Sequence, residues 1–194
     1  AYEITSRDYG VRRRYQKQLC LRSTALGRTL GPALVRGLAI TGSDAYLREG
    51  SDVTVVFHVT DKKLFLAGVE PFVREARKEF GARLKEGKGD YRGIKTESFV
   101  TPLREVSLHR ATVGDYVVYA NSPAGLRRVL DAQQGRLKAL ADSLDYQYMR
   151  TVFRLEDEGE DGFAFLSDPF IRRQVGPAVK IKEKRRLEAL TSLH

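Results

Sequence analysis

The stretch Asp52-Val53-Thr54-Val55-Val56-Phe57-His58-Val59-Thr60 is rich in β-branched residues and alternates. Val53, Val55, Phe57 and Val59 fall on one side, and Thr54, Val56, His58 and Thr60 on the other, which is the period of a strand. Directly after it the period changes. Asp61 is a helix-capping residue, and Phe65, Val69, Phe72, Val73, Ala76, Phe80 and Leu84 recur every three or four positions as one apolar stripe of a helix. Pro71 kinks this segment or starts its main helix, and Gly87-Lys88-Gly89 ends it.

Downstream, Tyr91 to Val100 reads as a strand with Gly93 as a weak point, Glu105 to Val113 alternates again, Gly114-Asp115 is a tight turn, and Tyr116 to Ala120 is a further strand. Three strands joined by short turns predict an antiparallel meander. Asn121-Ser122-Pro123 starts a helix with a capping side chain and Pro at its first position. A second helix starts at Asp142-Ser143, Gly162 to Leu166 reads as a short strand, and Asp168-Pro169 opens a helix that Gly176-Pro177 breaks. Val179 to Leu193 reads as a basic final helix. Upstream, Leu19 to Leu38 is helix-like but interrupted by Gly27, Gly31 and Pro32, and Leu38 to Thr41 is a short strand. The expected class is α+β: a mainly antiparallel sheet with helices packed on one face, in the order β-α-β-β-β-α-α-β-α. Residues 51–194 are the expected domain, with residues 1–50 as a basic N-terminal arm or extra elements.

Of the 194 residues, 42% are hydrophobic and 30% charged, enough to bury a core and too apolar for a wholly disordered chain. No apolar run is long enough for a transmembrane helix. Arg12, Arg13 and Arg14 lie where the apolar part of a signal peptide would sit. The chain opens on Ala1 and stops inside a helical pattern, so it reads as an excerpt from a longer protein. Cys20 is the only cysteine, which excludes an internal disulfide and a thiolate-rich zinc site.

The net charge of +9 is uneven. Through residue 50 there are nine Lys or Arg against four Asp or Glu, so more than half of the excess sits in the first quarter. Arg12, Arg13, Arg14, Lys17, Arg22 and Arg28 form one basic group, with Tyr9 and Tyr15 beside it to stack on bases; Lys180, Lys182, Lys184, Arg185 and Arg186 form another. Arg12, Arg13, Arg14, Lys17 and Arg22 with the five C-terminal cations are the expected contacts to a partner or polyanion.

Other chemistry is thinly represented. Gly81 to Gly89 has five residues between Gly81 and Gly87 where a phosphate loop has four, and Gly89 stands where that loop needs Ser or Thr, so it reads as a helix stop. Ser43 has no nucleophile elbow around it. His58, His109 and His194 are not at ligand spacing, although His58 and His109, with Glu105, are placed to meet on one side of a sheet. Glu156, Asp157, Glu158, Glu160 and Asp161 read as a solvated acidic loop. No catalytic residue, metal site or cofactor is expected.

Three phrases carry a resemblance: Asp115 to Leu126, Leu140 to Ser143, and Phe163 to Asp168. Over residues 51–177 the chain resembles a bacterial domain-of-unknown-function family found in large, predicted extracytoplasmic proteins, in which a strand runs into a Ser-Pro-capped helix. The resemblance implies an envelope-associated, non-catalytic module and carries over no site residue. The expected function is therefore a non-catalytic structural or protein-interaction domain of a larger bacterial protein, whose partners are other parts of that parent or a separate protein. A basic nucleic-acid-binding module and an enzyme of unrecognised class around His58 and His109 are the alternatives.

Overall fold

The computed structural model describes residues 10–22, 31, 33–42, 51–154 and 162–192. The chain divides into two compact units, residues 1–134 and 135–194.

Among the described residues of the first unit, six strands form one antiparallel sheet: β1 (Val35–Gly42), β2 (Val53–Val59), β3 (Lys85–Tyr91), β4 (Ile94–Val100), β5 (Ser107–Val113) and β6 (Tyr116–Ala120), in the order β1-β2-β6-β5-β4-β3. The α+β class with an antiparallel sheet is thus present. Helix α1 (Val11–Gln18) precedes the sheet, α2 (Lys62–Phe80) links β2 to the far edge strand β3, and α3 (Pro123–Gln133) follows β6. The predicted caps are in place: the Leu64 N–H donates to Asp61 Oδ1 at 3.0 Å, and the Gly125 N–H to Ser122 Oγ at 3.0 Å.

The two periods of β2 explain the layering. Val53, Val55 and Val59 pack with Leu108, Val117, Tyr119 and Phe99 against Phe65, Val73, Ala76 and Phe80 of α2, joined by Leu19 and Cys20 after α1. The opposite face carries a second cluster, in which Ala111, Val118 and Ala120 meet Leu126 and Leu130 of α3, with Val56 partly buried beside them. Helices therefore cover both faces of the sheet, where one face was expected. The reason lies in the strands themselves, which carry apolar side chains on both sides, as Val55-Val56 and Val117-Val118 do.

Two further expectations are corrected. Gly87-Lys88-Gly89 does not end the α2 helix; a short 3-10 turn, Gly81–Arg83, ends it, and the glycines lie inside β3. The turn joining β3 to β4 is Arg92-Gly93, both at positive φ (55° and 84°), so Gly93 is a hairpin turn and not a weak point within a strand. Of the helix-like run from Leu19 to Leu38, Leu19 and Cys20 form the turn that ends α1, and Val35 to Leu38 is already β1; residues 23–30 and Pro32 lie outside the described residues.

The second unit contains a 3-10 turn (Leu140–Asp142) and the helices α4 (Leu144–Val152), α5 (Asp168–Val175) and α6 (Pro177–Thr191). The strand expected at Gly162 to Leu166 is irregular chain, which corrects the predicted element order. Its aromatic residues pack with α4: the Tyr146 ring meets Phe165 edge-on at 5.3 Å, Phe163 lies 6.1 Å from both Tyr146 and Phe153, and the Arg150 guanidinium stands 4.4 Å over Phe163.

Candidate interaction surface

The cations singled out in the sequence divide between the two units. In the first unit, Arg12, Arg13 and Arg14 are exposed on α1. Lys17 and Arg22 are spent on the protein itself: Lys17 Nζ lies 2.5 Å from Glu79 and 4.9 Å over the Phe80 ring, and Arg22 pairs with Glu75 at 3.0 Å. Both acids belong to α2, so these two residues hold the α1 region on the α2 face, alongside the buried Leu19 and Cys20. Such half-exposed pairs contribute modestly, and burial of the two apolar side chains carries most of the attachment.

In the second unit, Lys180, Lys182, Lys184, Arg185 and Arg186 are all exposed on α6. At 100° per residue they point around the helix in several directions and form no single basic stripe. Lys184 lies 3.8 Å from Glu188, one turn on. Ile181, Leu187 and Leu190 of the same helix are also exposed. Tyr9, Arg28, His194 and the acidic run 156–161 lie outside the described residues.

Apolar exposure is concentrated in the second unit. Among the described residues, the buried hydrophobic side chains all belong to the first unit, from Leu19 to Leu130. Twelve of the seventeen large hydrophobics exposed among the described residues lie between Leu137 and Leu190, among them Leu144 at 79% exposure, Tyr148 at 69% and Leu187 at 63%. Large apolar surface left in water is the compositional mark of a surface made to be covered. Leu144, Tyr148 and Val152 of α4 and the adjoining Phe153 have the three-to-four-residue spacing of a buried helix face, yet all four are exposed.

His58 and His109 lie on the same face of the sheet but do not meet. His58 pairs in register with Tyr116 and stacks on its ring at 4.8 Å, whereas His109 pairs with Ala120, four residues further along β6. At about 3.3 Å per residue the two rows are roughly 13 Å apart. Glu105 is engaged elsewhere, accepting from Thr101 Oγ1 at 2.5 Å.

On the α2 face, a cavity of about 420 Å³ is lined by paired charges. Arg77 bonds Glu70 and Glu86, both at 2.7 Å; Arg110 bonds Glu97 at 2.7 Å and the Tyr119 hydroxyl at 3.3 Å. Both guanidiniums stand over Phe99, at 5.5 and 5.1 Å. The network ties α2 to β3, β4 and β5 and leaves each of these charges satisfied.

No family model matches the chain, and neither a curated protein nor a solved structure matches it.

Proposed function

We propose that the chain is a non-catalytic protein-interaction domain of a larger bacterial protein, and that its second unit carries the contact surface. The observation that carries this reading is the exposure, among the described residues, of twelve large apolar side chains between Leu137 and Leu190, three of them on α6 beside five exposed cations. A partner that covers this surface combines apolar side chains with carboxylates, so that burial supplies the affinity and the charges supply the steering. The envelope-associated parent belongs to the same proposal; it draws support from the quoted phrase Asp115 to Leu126, which folds as strand β6 running into a Ser122-capped helix.

Photo-crosslinking tests the reading. A benzoylphenylalanine placed in the full chain at Leu144, Tyr148 or Leu187 is expected to trap one discrete protein adduct in the native cell, while the same probe at Lys88 traps none. Adducts of equal strength from all four positions, or none from the three apolar ones, overturn it.

Nucleic-acid binding is the second reading, favoured by the exposed run Arg12, Arg13 and Arg14 on α1. Oligonucleotide anisotropy across salt decides it: affinity that falls steeply with salt and disappears in an Arg12, Arg13, Arg14 triple Gln variant supports it.

A further inference from the structure

The face of the sheet beneath α3 contains a second cleft, of about 250 Å³, between β3, β4, β5 and that helix. Its shape follows from register. Gly87, Ser98 and His109 form one row across β3, β4 and β5, and Gly89, Thr96 and Ala111 the next. Side-chain size falls to nothing toward the β3 edge, so the floor steps down there. A Cβ on Gly87 would lie 2.7 Å from Ser98 Oγ, and one on Gly89 would lie 3.1 Å from Thr96 Oγ1, so a side chain at either position would press on a hydroxyl of the cleft. Glycine inside a strand often marks close approach by another group, and here the approaching groups are the Ser98 and Thr96 side chains.

Several polar groups facing the cleft have no partner among the described residues. The side chains of Thr96, Ser98 and His109 make no hydrogen bond to another described residue. Arg127, on the α3 wall, stands 5.4 Å over the Tyr91 ring and is in no ion pair among the described residues. The nearest carboxylate on that helix, Asp131, is taken up by the Tyr91 hydroxyl at 2.9 Å and by Arg92 at 3.3 Å. Glu97 and Asp90 contribute to the rim but are paired, Glu97 with Arg110 on the other face and Asp90 with Lys95. Burial and the nearby Arg104 and Arg127 lower the His109 pKa, so its ring is neutral near pH 7 and offers one N–H donor.

We propose that this cleft binds a small oxyanion-bearing molecule, with Arg127 as the counter-charge and the Ser98 and Thr96 hydroxyls and the His109 ring as hydrogen-bond donors. The volume lies below the usual range for drug-sized ligands, roughly 300–1,000 Å³, and suits one phosphate or carboxylate group with a short attachment. With no side chain on Gly87 or Gly89, β3 does not cover the Ser98 and Thr96 hydroxyls.

Amide-resolved NMR of the full ¹⁵N-labelled chain tests this, with inorganic phosphate and acetate titrated separately at ionic strength held constant with chloride. The expected result is a saturable shift of the Gly87, Gly89, Ser98 and His109 amides with a dissociation constant of about 1 mM or tighter. Arg127→Gln weakens it about tenfold or more, as loss of a charged hydrogen-bond donor does, and Lys78→Gln, at an exposed position on α2, leaves it unchanged. A response to phosphate alone assigns phosphate esters as the ligand class; a response to both extends it to carboxylates. Shifts that grow linearly without saturating, shifts confined to α1 or α6, or an unchanged affinity in a folded Arg127→Gln variant overturn the proposal. Should that variant lose its native spectrum, Ser98→Ala decides: it removes a donor and no bulk, and unchanged affinity in it overturns the proposal equally.

Discussion

Asn121 and Val53 hold each other twice across the end of the sheet: the Val53 N–H donates to Asn121 Oδ1 at 2.8 Å, and the Asn121 N–H donates to the Val53 carbonyl at 3.0 Å. The same side chain, 2% exposed, donates from Nδ2 to the Ser51 carbonyl at 2.9 Å and to Gln18 Oε1 at 3.2 Å. It thereby joins the last residue of α1, the start of β2 and the end of β6.

Asn121→Ala leaves the buried Val53 N–H without a partner and removes Nδ2 from two acceptors. The expected loss is about 3 kcal/mol of unfolding free energy, read as a lower urea midpoint with an unchanged slope. A loss within experimental error would mean that water replaces the side chain at this corner.

Pro71 lies inside α2 on its exposed side, without an N–H for the helical ladder. Pro71→Ala restores one backbone donor and removes a ring clash, so α2 is expected to gain about 1–3 kcal/mol. Thermal melting checks this. A lower melting temperature would show that the proline ring packs productively.

The Arg77 hydrogen bonds hold the Glu86 carboxyl below the ordinary glutamate range. A lowered folded-state value means that the stabilisation is complete above the ordinary range and disappears as pH falls through the lowered one. Wild type is therefore expected to lose more stability than Glu86→Gln between pH 7 and pH 3, by a small margin, because the pair is half-exposed. Parallel denaturation curves for the two proteins at each pH measure it, and equal losses would refute the assignment.

Cys20 is 5% exposed, and burial pushes its thiol up to about 11. A neutral, buried thiol is a poor nucleophile. Ellman's reagent at pH 8 is expected to react fully with Cys20 in urea and only slowly in native buffer. Because Cys20 belongs to the turn after α1, the native rate reports how often that turn lifts from α2. Instant native labelling would place this segment off the core.

How much of this was legible depended on burial. β2, α2, β5 and β6 carry buried stripes, and their alternation announced them. β3 is an exposed edge strand of sequence Lys-Glu-Gly-Lys-Gly-Asp-Tyr; it has no apolar face to show a period, and its glycines read as a stop. Conversely, the apolar run at Gly162 to Leu166 looked like a strand, yet Phe163 and Phe165 serve aromatic contacts with α4 and its C-terminal Phe153. Ser122 was legible as a cap, whereas the bonds of Asn121 to Val53 and Ser51 span about seventy residues and leave no local trace. For the interaction surface, composition located Arg12, Arg13, Arg14 and the α6 cations, but the pairing of Lys17 and Arg22 with Glu79 and Glu75 depends on how α1 meets α2.

The position of β2 between β1 and β6 has a consequence for how the chain is made. As the polypeptide leaves the ribosome, β2 emerges with apolar side chains on both faces and can at once pair only with β1. Its other neighbour is still unsynthesised: roughly 60 residues separate them, about 3–12 s at 5–20 residues per second. The β3-to-β6 meander, joined by short connections, assembles locally in the meantime and then closes onto β2 as its last strand emerges. During that interval the nascent chain displays an open, sticky strand edge, which makes β2 the segment most in need of a chaperone.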